Sequence, residues 1–419
     1  MPIQTADKPK RHVHLTPPQT IVFSFAAMIL VGAFLLNLPV ASNDGQSIGF
    51  LNALFTATSA NCVTGLVVVN TLAHWTWFGK IVILILIQLG ALGFISIRTA
   101  RMILWKRRIS LRNRAVIHAA FNKDSVGGMV RLVKGVFLIT LTIEAIGAVL
   151  LAIAFYASGG MGPGQALGYG VFHSISAYCN AGFDIIGTES LTPYAGNLAV
   201  NLIIMALIIA GGLGFTVWGE VIDNFQNRKK RSLKSRLAFL SLHTKAVLLV
   251  SAALIVLGAG LFLLLEWANP ATLGAMPPGK KVLAAFFQSV TLRTAGFNTI
   301  SQGGLTDFSQ IISGVLMFIG GSPAGTAGGI KTVTLGIILI SVFSALRGKN
   351  RMEAFGRTLL WNCCKRPSPS PSRCWPWCSA RRWCCTSPRP AVPPLPPRWT
   401  CCSRACPRRV RWGSAQALR

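Results

Sequence analysis

FTATSANCVTGL at residues 55–66 returns as FHSISAYCNAGF at 172–183 and again as FFQSVTLRTAGF at 286–297. Each copy sets a phenylalanine ten residues ahead of a glycine, pairing Phe55 with Gly65, Phe172 with Gly182 and Phe286 with Gly296. The glycines are 117 and 114 residues apart, too far for stacked solenoid repeats of about 20–50 residues, so each unit is larger than a helical hairpin. The stretch ahead of each glycine is apolar and rich in Ser, Thr and Ala, and it is too short for the roughly 20 residues a spanning helix needs. It reads as a re-entrant half helix followed by an extended turn. Non-helical backbone survives at membrane depth only where protein buries it or it faces water, and loops arranged around one axis meet that condition.

Apolar runs flank every copy, at about 19–40 and 76–97, 132–157 and 197–219, and 244–267 and 309–345. Each unit is therefore expected to be a spanning helix, a pore loop and a second spanning helix. Of the 419 residues, 52% are hydrophobic and 12% charged, against about 25% charged in soluble domains, and the mean hydropathy is +0.54. The fold class implied is an all-α membrane protein built of repeated helix, re-entrant pore loop and helix units, three of which are recognisable.

The net charge of +30 lies in clusters: KPKR at 8–11, KRRISLRNR at 106–114, RKKRSLKSR at 228–236 and RGKNR at 347–351. Two crossings separate consecutive clusters, so all four fall on one side, which the positive-inside rule makes cytoplasmic, together with the N-terminus. Orientation and lipid headgroups account for the charge without nucleic acid. The first apolar run lacks a small-residue cleavage site and reads as a transmembrane helix in preference to a removable signal peptide.

A cation crossing hydrocarbon needs oxygen ligands in place of its water shell, and rings of backbone carbonyls supply them. Glycine allows the positive φ that turns successive carbonyls to one axis, and a half helix ending there directs its negative dipole end at the ion. The candidate ligands are the carbonyls of Cys62, Val63, Thr64 and Gly65, of Cys179, Asn180, Ala181 and Gly182, and of Arg293, Thr294, Ala295 and Gly296. The second spanning helices echo one another as GALGF at 90–94 and GGLGF at 211–215. The third carries GGSPAGTAGG at 320–329. Glycine costs a helix up to about 1 kcal/mol and proline about 3 kcal/mol relative to Ala, so the third inner helix is expected to break there.

CVTGL, CNAGF and RTAGF, their regular recurrence, and GGSPAGTAGGIKT resemble the Trk/Ktr/HKT superfamily of potassium transporters, especially the KtrB-type subunit, over residues 19–355. The resemblance implies four units folded like a channel tetramer, with glycine in the first filter, here Gly65, going with potassium selectivity. It makes Gly320, Gly321, Ser322, Pro323, Ala324, Gly325, Thr326, Ala327, Gly328, Gly329 and Lys331 an intramembrane gate beneath the filter. It also implies a cytosolic nucleotide-binding regulatory ring of the KtrA/TrkA type, a homodimer, and a bacterial inner-membrane location. Potassium is then the transported ion, no cofactor is bound directly, and the chain is not an enzyme.

GTAGGIKT at 325–332 is also one residue away from the phosphate loop GxxxxGK[ST], a reading that would need a preceding strand. Glu144, inside the third apolar run, is a functional candidate because ionisable groups there are costly; hydrogen bonding within the bundle is the plainer role. Lys245 and Lys331 read as snorkelling side chains, or for Lys331 a lining of the gate. Cys62 and Cys179 read as small reduced packing residues, and His173 as a packed or hydrogen-bonded side chain.

The units divide the chain into an N-terminal tail (1–18), repeat 1 (19–105), a basic linker with repeat 2 (106–236), repeat 3 (237–350) and a tail (351–419). From Trp361 the tail has no acidic residue and holds nine of the eleven cysteines and half of the prolines. No fourth filter follows, and the composition looks like GC-rich DNA read out of frame, with a frameshift near 357–363. A zinc-binding cytosolic tail is the competing reading, though its Cys spacings sit among prolines and arginines. Besides uptake through a filter, a non-conducting remnant and an ion-coupled symporter stay open.

Overall fold

The computed structural model describes residues 17–93, 129–187, 190–227, 240–347, 352–354 and 357–359. Three of the basic clusters, most of the fourth and the cysteine-rich tail with its proposed frameshift lie outside the described residues.

Each unit opens on an outer helix: α1 (Pro17–Leu36), α4 (Met129–Ala157) and α8 (Leu242–Glu266). These contain the three continuous segments among the described residues that are long and apolar enough to cross a bilayer, Gln19–Leu36, Val133–Ala157 and Leu242–Glu266. A pore helix follows: α2 (Phe50–Asn61), α5 (Pro163–Tyr178) and α9 (Pro278–Thr291), of 12, 16 and 14 residues. Proline opens α5 and α9, where its missing N–H leaves no helical hydrogen bond unmade. In every unit the outer helix packs closely along the pore helix.

The inner helices depart from the sequence expectation. The apolar runs at 76–97 and 197–219 predict continuous helices, with a break in the third alone. Instead α3 (Trp77–Leu92) stops at Gly93, φ +75°. Helix α6 (Leu198–Leu213) stops at Gly214, φ +86°, and the chain turns by 96° into α7 (Phe215–Asn227). The last glycine of GALGF and of GGLGF is thus a helix terminator in the left-handed conformation. The first glycine serves close approach. A Cβ at Gly90 would lie 1.9 Å from the Asn61 carbonyl oxygen, and one at Gly211 1.9 Å from that of Tyr178. In the third unit α10 (Asp307–Phe318) gives way to an irregular segment and α11 (Thr332–Leu346) resumes, as its glycines and proline imply. The strands among the described residues form one antiparallel pair, β1 (Met352–Ala354) and β2 (Arg357–Leu359), with Met352 opposite Leu359.

Polar side chains fasten the helix ends. Ser241 caps α8, accepting from Thr244 N at 3.2 Å, and its own Oγ donates to Glu220 of α7 at 2.6 Å. At the other end of α8, buried Glu266 accepts from Asn269 Nδ2 (2.7 Å), Thr272 Oγ1 (2.6 Å), Thr306 N (3.0 Å) and Thr306 Oγ1 (2.7 Å). That carboxylate fixes the loop leading to α10. Between units, α3 packs on α5 and α6 on α9, so unit 2 sits between the other two and brings the pore helices together.

Candidate functional site

The three candidate filter segments share one backbone. Residues two before and at each glycine have positive φ: Val63 and Gly65 (+58°, +78°), Asn180 and Gly182 (+56°, +70°), Thr294 and Gly296 (+68°, +90°). Left-handed φ in a β-branched residue is uncommon, and Val63 and Thr294 both adopt it, a local cost that persists only where the surroundings impose it. The pore helices impose it here. Backbone N–H groups of Thr64 and Ala181 donate to the Ser59 and Ser176 carbonyls at 2.9 and 2.8 Å, and Ala295 N donates to Thr291 O at 2.8 Å. From behind, Ser176 Oγ donates to Phe183 O (2.6 Å) and Thr291 Oγ1 to Phe297 O (2.7 Å).

The segments converge. A Cβ placed on Gly65 would lie 2.5 Å from Ala181 O, one on Gly182 2.6 Å from Ala295 O, and one on Gly296 3.1 Å from the Gly182 Cα. The order is an arc, 65 to 182 to 296, with loop 2 between its neighbours. Cys179 through Gly182 are buried, whereas Cys62 and Thr64 are exposed and Gly296 is exposed beside buried Arg293 and Ala295. The Arg293 side chain turns back into the bundle, donating to Ser251 Oγ of α8 at 3.1 Å, so only its backbone is placed with the other filter residues.

On the side of the residues that follow the glycines lies a cavity of about 490 Å³, lined by Gly65, Gly182, Gly296, Asp184, Asn298 and Gln302 among others. Asp184 is the carboxylate among its lining residues. Burial pushes it up to about 6, against hydrogen bonds from the Ser190 side chain and the Ile186 backbone that pull it down. Ser190 also accepts from Asn298 N (3.3 Å) and Leu191 N donates to Asn298 O (2.9 Å), tying the rims of loops 2 and 3.

On the opposite side is the 320–329 segment. Asn180 Nδ2 donates to Thr326 Oγ1 (2.7 Å), Thr326 Oγ1 donates to Tyr178 O (3.0 Å), and Gly328 N donates to Thr294 Oγ1 (2.9 Å). The segment is seated in the break of the second inner helix: Ser322 Oγ donates to Gly212 O (2.7 Å), Thr326 N to Gly211 O (3.2 Å) and Phe215 N to Ala324 O (3.0 Å). Ser322 is fully buried and Ala327 nearly so; Gly320 and Gly321 are buried, Pro323, Ala324 and Gly325 half-buried, and Gly328 and Gly329 exposed. Lys331 Nζ caps the turn by donating to Ala327 O (2.8 Å). A helix, α10, precedes this segment where a phosphate loop needs a strand, and its backbone is spent on internal hydrogen bonds, Gly321 N to Gly328 O (3.2 Å) and Ile330 N to Phe318 O (2.9 Å). The nucleotide-loop reading does not fit it.

His173 is fully buried. Its Nδ1 lies 2.7 Å from Tyr169 O, Ile185 N donates to its Nε2 at 3.4 Å, and its ring meets those of Phe155 and Phe172. Sequence reasoning missed Asp184, Gln88 and the Asn180–Thr326 link. Asp184 was open to detection, since it stands two residues after Gly182 where the other copies have Val67 and Asn298; Gln88 and Thr326 carry no periodic signal.

Such an arrangement, three re-entrant segments over an intramembrane loop, defines a multi-pass membrane protein of the pore-loop cation transporter class. Residues 7–357 match the family described as TrkH, cation transport protein, and the chain belongs to that family. It is 39% identical over 355 residues to the potassium/sodium uptake protein NtpJ of Enterococcus hirae, covering 85% of this chain and 76% of that one. With the Ktr system potassium uptake protein B of Bacillus subtilis it shares 39% over 353 residues, covering 84% and 76%. The fold is that of the potassium transporter TrkH from Vibrio parahaemolyticus, with a TM-score of 0.60 at 18% identity over 84% of this chain and 68% of that one.

Proposed function

We propose that this chain takes up potassium across the cytoplasmic membrane of a bacterium, the ion following the membrane potential between the carbonyls of 62–65, 179–182 and 293–296 and past the loop at 320–329. The observation that carries this reading is the repeated pair of left-handed residues ending on Gly65, Gly182 and Gly296 in three mutually packed loops. Alternating handedness turns consecutive carbonyls to one side, which is the geometry a dehydrated cation requires. The relatives named for potassium uptake agree with it.

The basic clusters orient the N-terminus and the interhelical linkers to the cytosol, and the division at 1–18, 19–105, 106–236, 237–350 and 351–419 follows. A nucleotide-binding ring would act on the gate from that side, and two copies would assemble, as the resemblance implies. Expression in a bacterium lacking potassium uptake tests the function: growth at low potassium with saturable, K+-competed Rb+ uptake is expected, and no growth with no Rb+ uptake from well-inserted protein would overturn it.

The exposed first loop favours a second reading, in which the arc does not conduct until another wall closes it between Gly296 and Gly65. Purified protein in liposomes separates the two, since the second reading gives K+ binding without flux.

A further inference from the structure

One face of α4 turns Thr140, Glu144 and Gly147 toward pore helix α5. Gly147 lets Ser174 come close: a Cβ there would lie 2.5 Å from Ser174 Oγ, which donates to the Glu144 backbone carbonyl at 2.7 Å. Thr140 Oγ1 lies 3.4 Å from Tyr178 Oη. Between them the Glu144 side chain is 5% exposed in a helix of 29 residues. Its Oε2 accepts from Gln88 Nε2 of α3 at 3.0 Å. The Cys179 thiol faces both, 3.7 Å from Glu144 Oε1 and 3.5 Å from Gln88 Oε1. Among the described residues no lysine or arginine forms an ion pair with Glu144.

A buried carboxyl satisfied only by neutral groups is costly to retain. Here it joins an outer helix, the inner helix of the neighbouring unit and the first residue of the second filter segment. All of these contacts lie behind the filter: Cys179 is fully buried, and its side chain occupies the space between the carboxyl and the loop. The equivalent Cys62 of the first unit is exposed, and among the described residues no buried carboxyl reaches its thiol.

We infer that Glu144, acting through Gln88 and Cys179, is the positioning residue that holds the second filter segment in place. This rests on the filter reading given above. It also separates Glu144 from the role a symporter would give it, because a coupling carboxylate must reach the ion path, whereas both oxygens here are engaged behind the loop.

The test uses full-length protein in detergent with K+, labelled by N-ethylmaleimide and read peptide by peptide by mass spectrometry. Cys62 is expected to label rapidly and Cys179 to be protected. Glu144→Gln, whose amide keeps the hydrogen-bonding capacity, leaves Cys179 protected. Glu144→Ala and Gln88→Ala each raise the Cys179 rate about fivefold, the scale of a lost neutral hydrogen bond, with Cys62 and gel-filtration behaviour unchanged. Gln88→Ala removes the need for the glutamate variant to fold. Paired measurement of K+ over Na+ preference in Rb+ uptake is expected to fall in the two alanine variants and to hold in Glu144→Gln. Protection of Cys179 in both alanine variants would overturn the inference. So would loss of uptake in Glu144→Gln with Cys179 still protected, which would give Glu144 a proton-coupling role. Absence of K+-competed uptake in the unmodified chain would count against the filter reading instead, leaving the labelling result to stand by itself.

Discussion

The loops ending on Gly182 and Gly65 have nearly the same backbone and opposite surroundings. Both alternate left-handed residues, +56° and +70° in one, +58° and +78° in the other. Loop 2 is buried throughout, packed between loops 1 and 3, braced behind by Glu144 and bonded below to Thr326. In loop 1, Cys62, Thr64 and Leu66 are exposed, and among the described residues no hydrogen bond joins it to the 320–329 segment. The pore helix and glycine set the conformation; neighbours decide how rigidly it is held.

Substitution is therefore expected to hurt most where the loop is buried and has no room to shift. Gly182→Ala forces an L-residue into a left-handed turn and drives its Cβ against Ala295 O and the Gly296 Cα, and Rb+ uptake is expected to fall about 100-fold or more. Gly65→Ala meets the Ala181 carbonyl oxygen just as closely, but its loop is exposed and can give way, and about tenfold is expected. Equal losses would remove the distinction.

Thr326→Val tests the floor of the comparison. It breaks the links to Asn180 and Tyr178, and one hydrogen bond of about 1 kcal/mol corresponds to roughly a fivefold rise in basal flux from a loosened gate. Unchanged flux would mean the segment does not restrain the path.

At the outer rim the two loops differ by Asp184 against Val67. Burial raises the Asp184 value to about 6, so the group is ionised at neutral pH and takes up its proton as pH falls through that value. Acidification therefore withdraws the charge that attracts cations, and apparent K+ affinity is expected to drop about threefold, a dependence Asp184→Asn abolishes. The sign for stability is opposite: a carboxyl raised above its unfolded value disfavours folding when ionised, so acidification into the same window stabilises the protein. A thermal melt against pH checks this. Smallest of all, Thr64→Val loses only side-chain contacts to Ser59 O (3.2 Å) and Ser59 Oγ (3.0 Å) and is expected to change uptake by less than about twofold, because the proposed ligand is the carbonyl.

Much of this was legible in the residues. Three Phe-to-Gly spacings located the short helices and the left-handed turns that follow them, and the glycines and proline of 320–329 located the third break. The breaks at Gly93 and Gly214 were not, because one glycine inside an apolar run is tolerated in membrane helices and its φ depends on what packs beside it. Gly214 turns where Pro323 and Ala324 press against it, a contact made 110 residues along the chain. Glu144 stood out by charge, but its direction could not be read, since Gln88 reaches it from the neighbouring unit and Cys179 from the far end of the next helix. His173 was read as packed, and its ring holds Ile185 of the loop beyond the filter.

The central claim, that these glycine turns form a potassium site, is tested most directly by thermal stability of the purified chain titrated with K+, Rb+ and Na+ at constant ionic strength. A saturable rise with K+ and Rb+, absent with Na+ and lost in Gly182→Ala, is the result expected. Equal rises with all three ions, or a K+ response that survives Gly182→Ala, would contradict it.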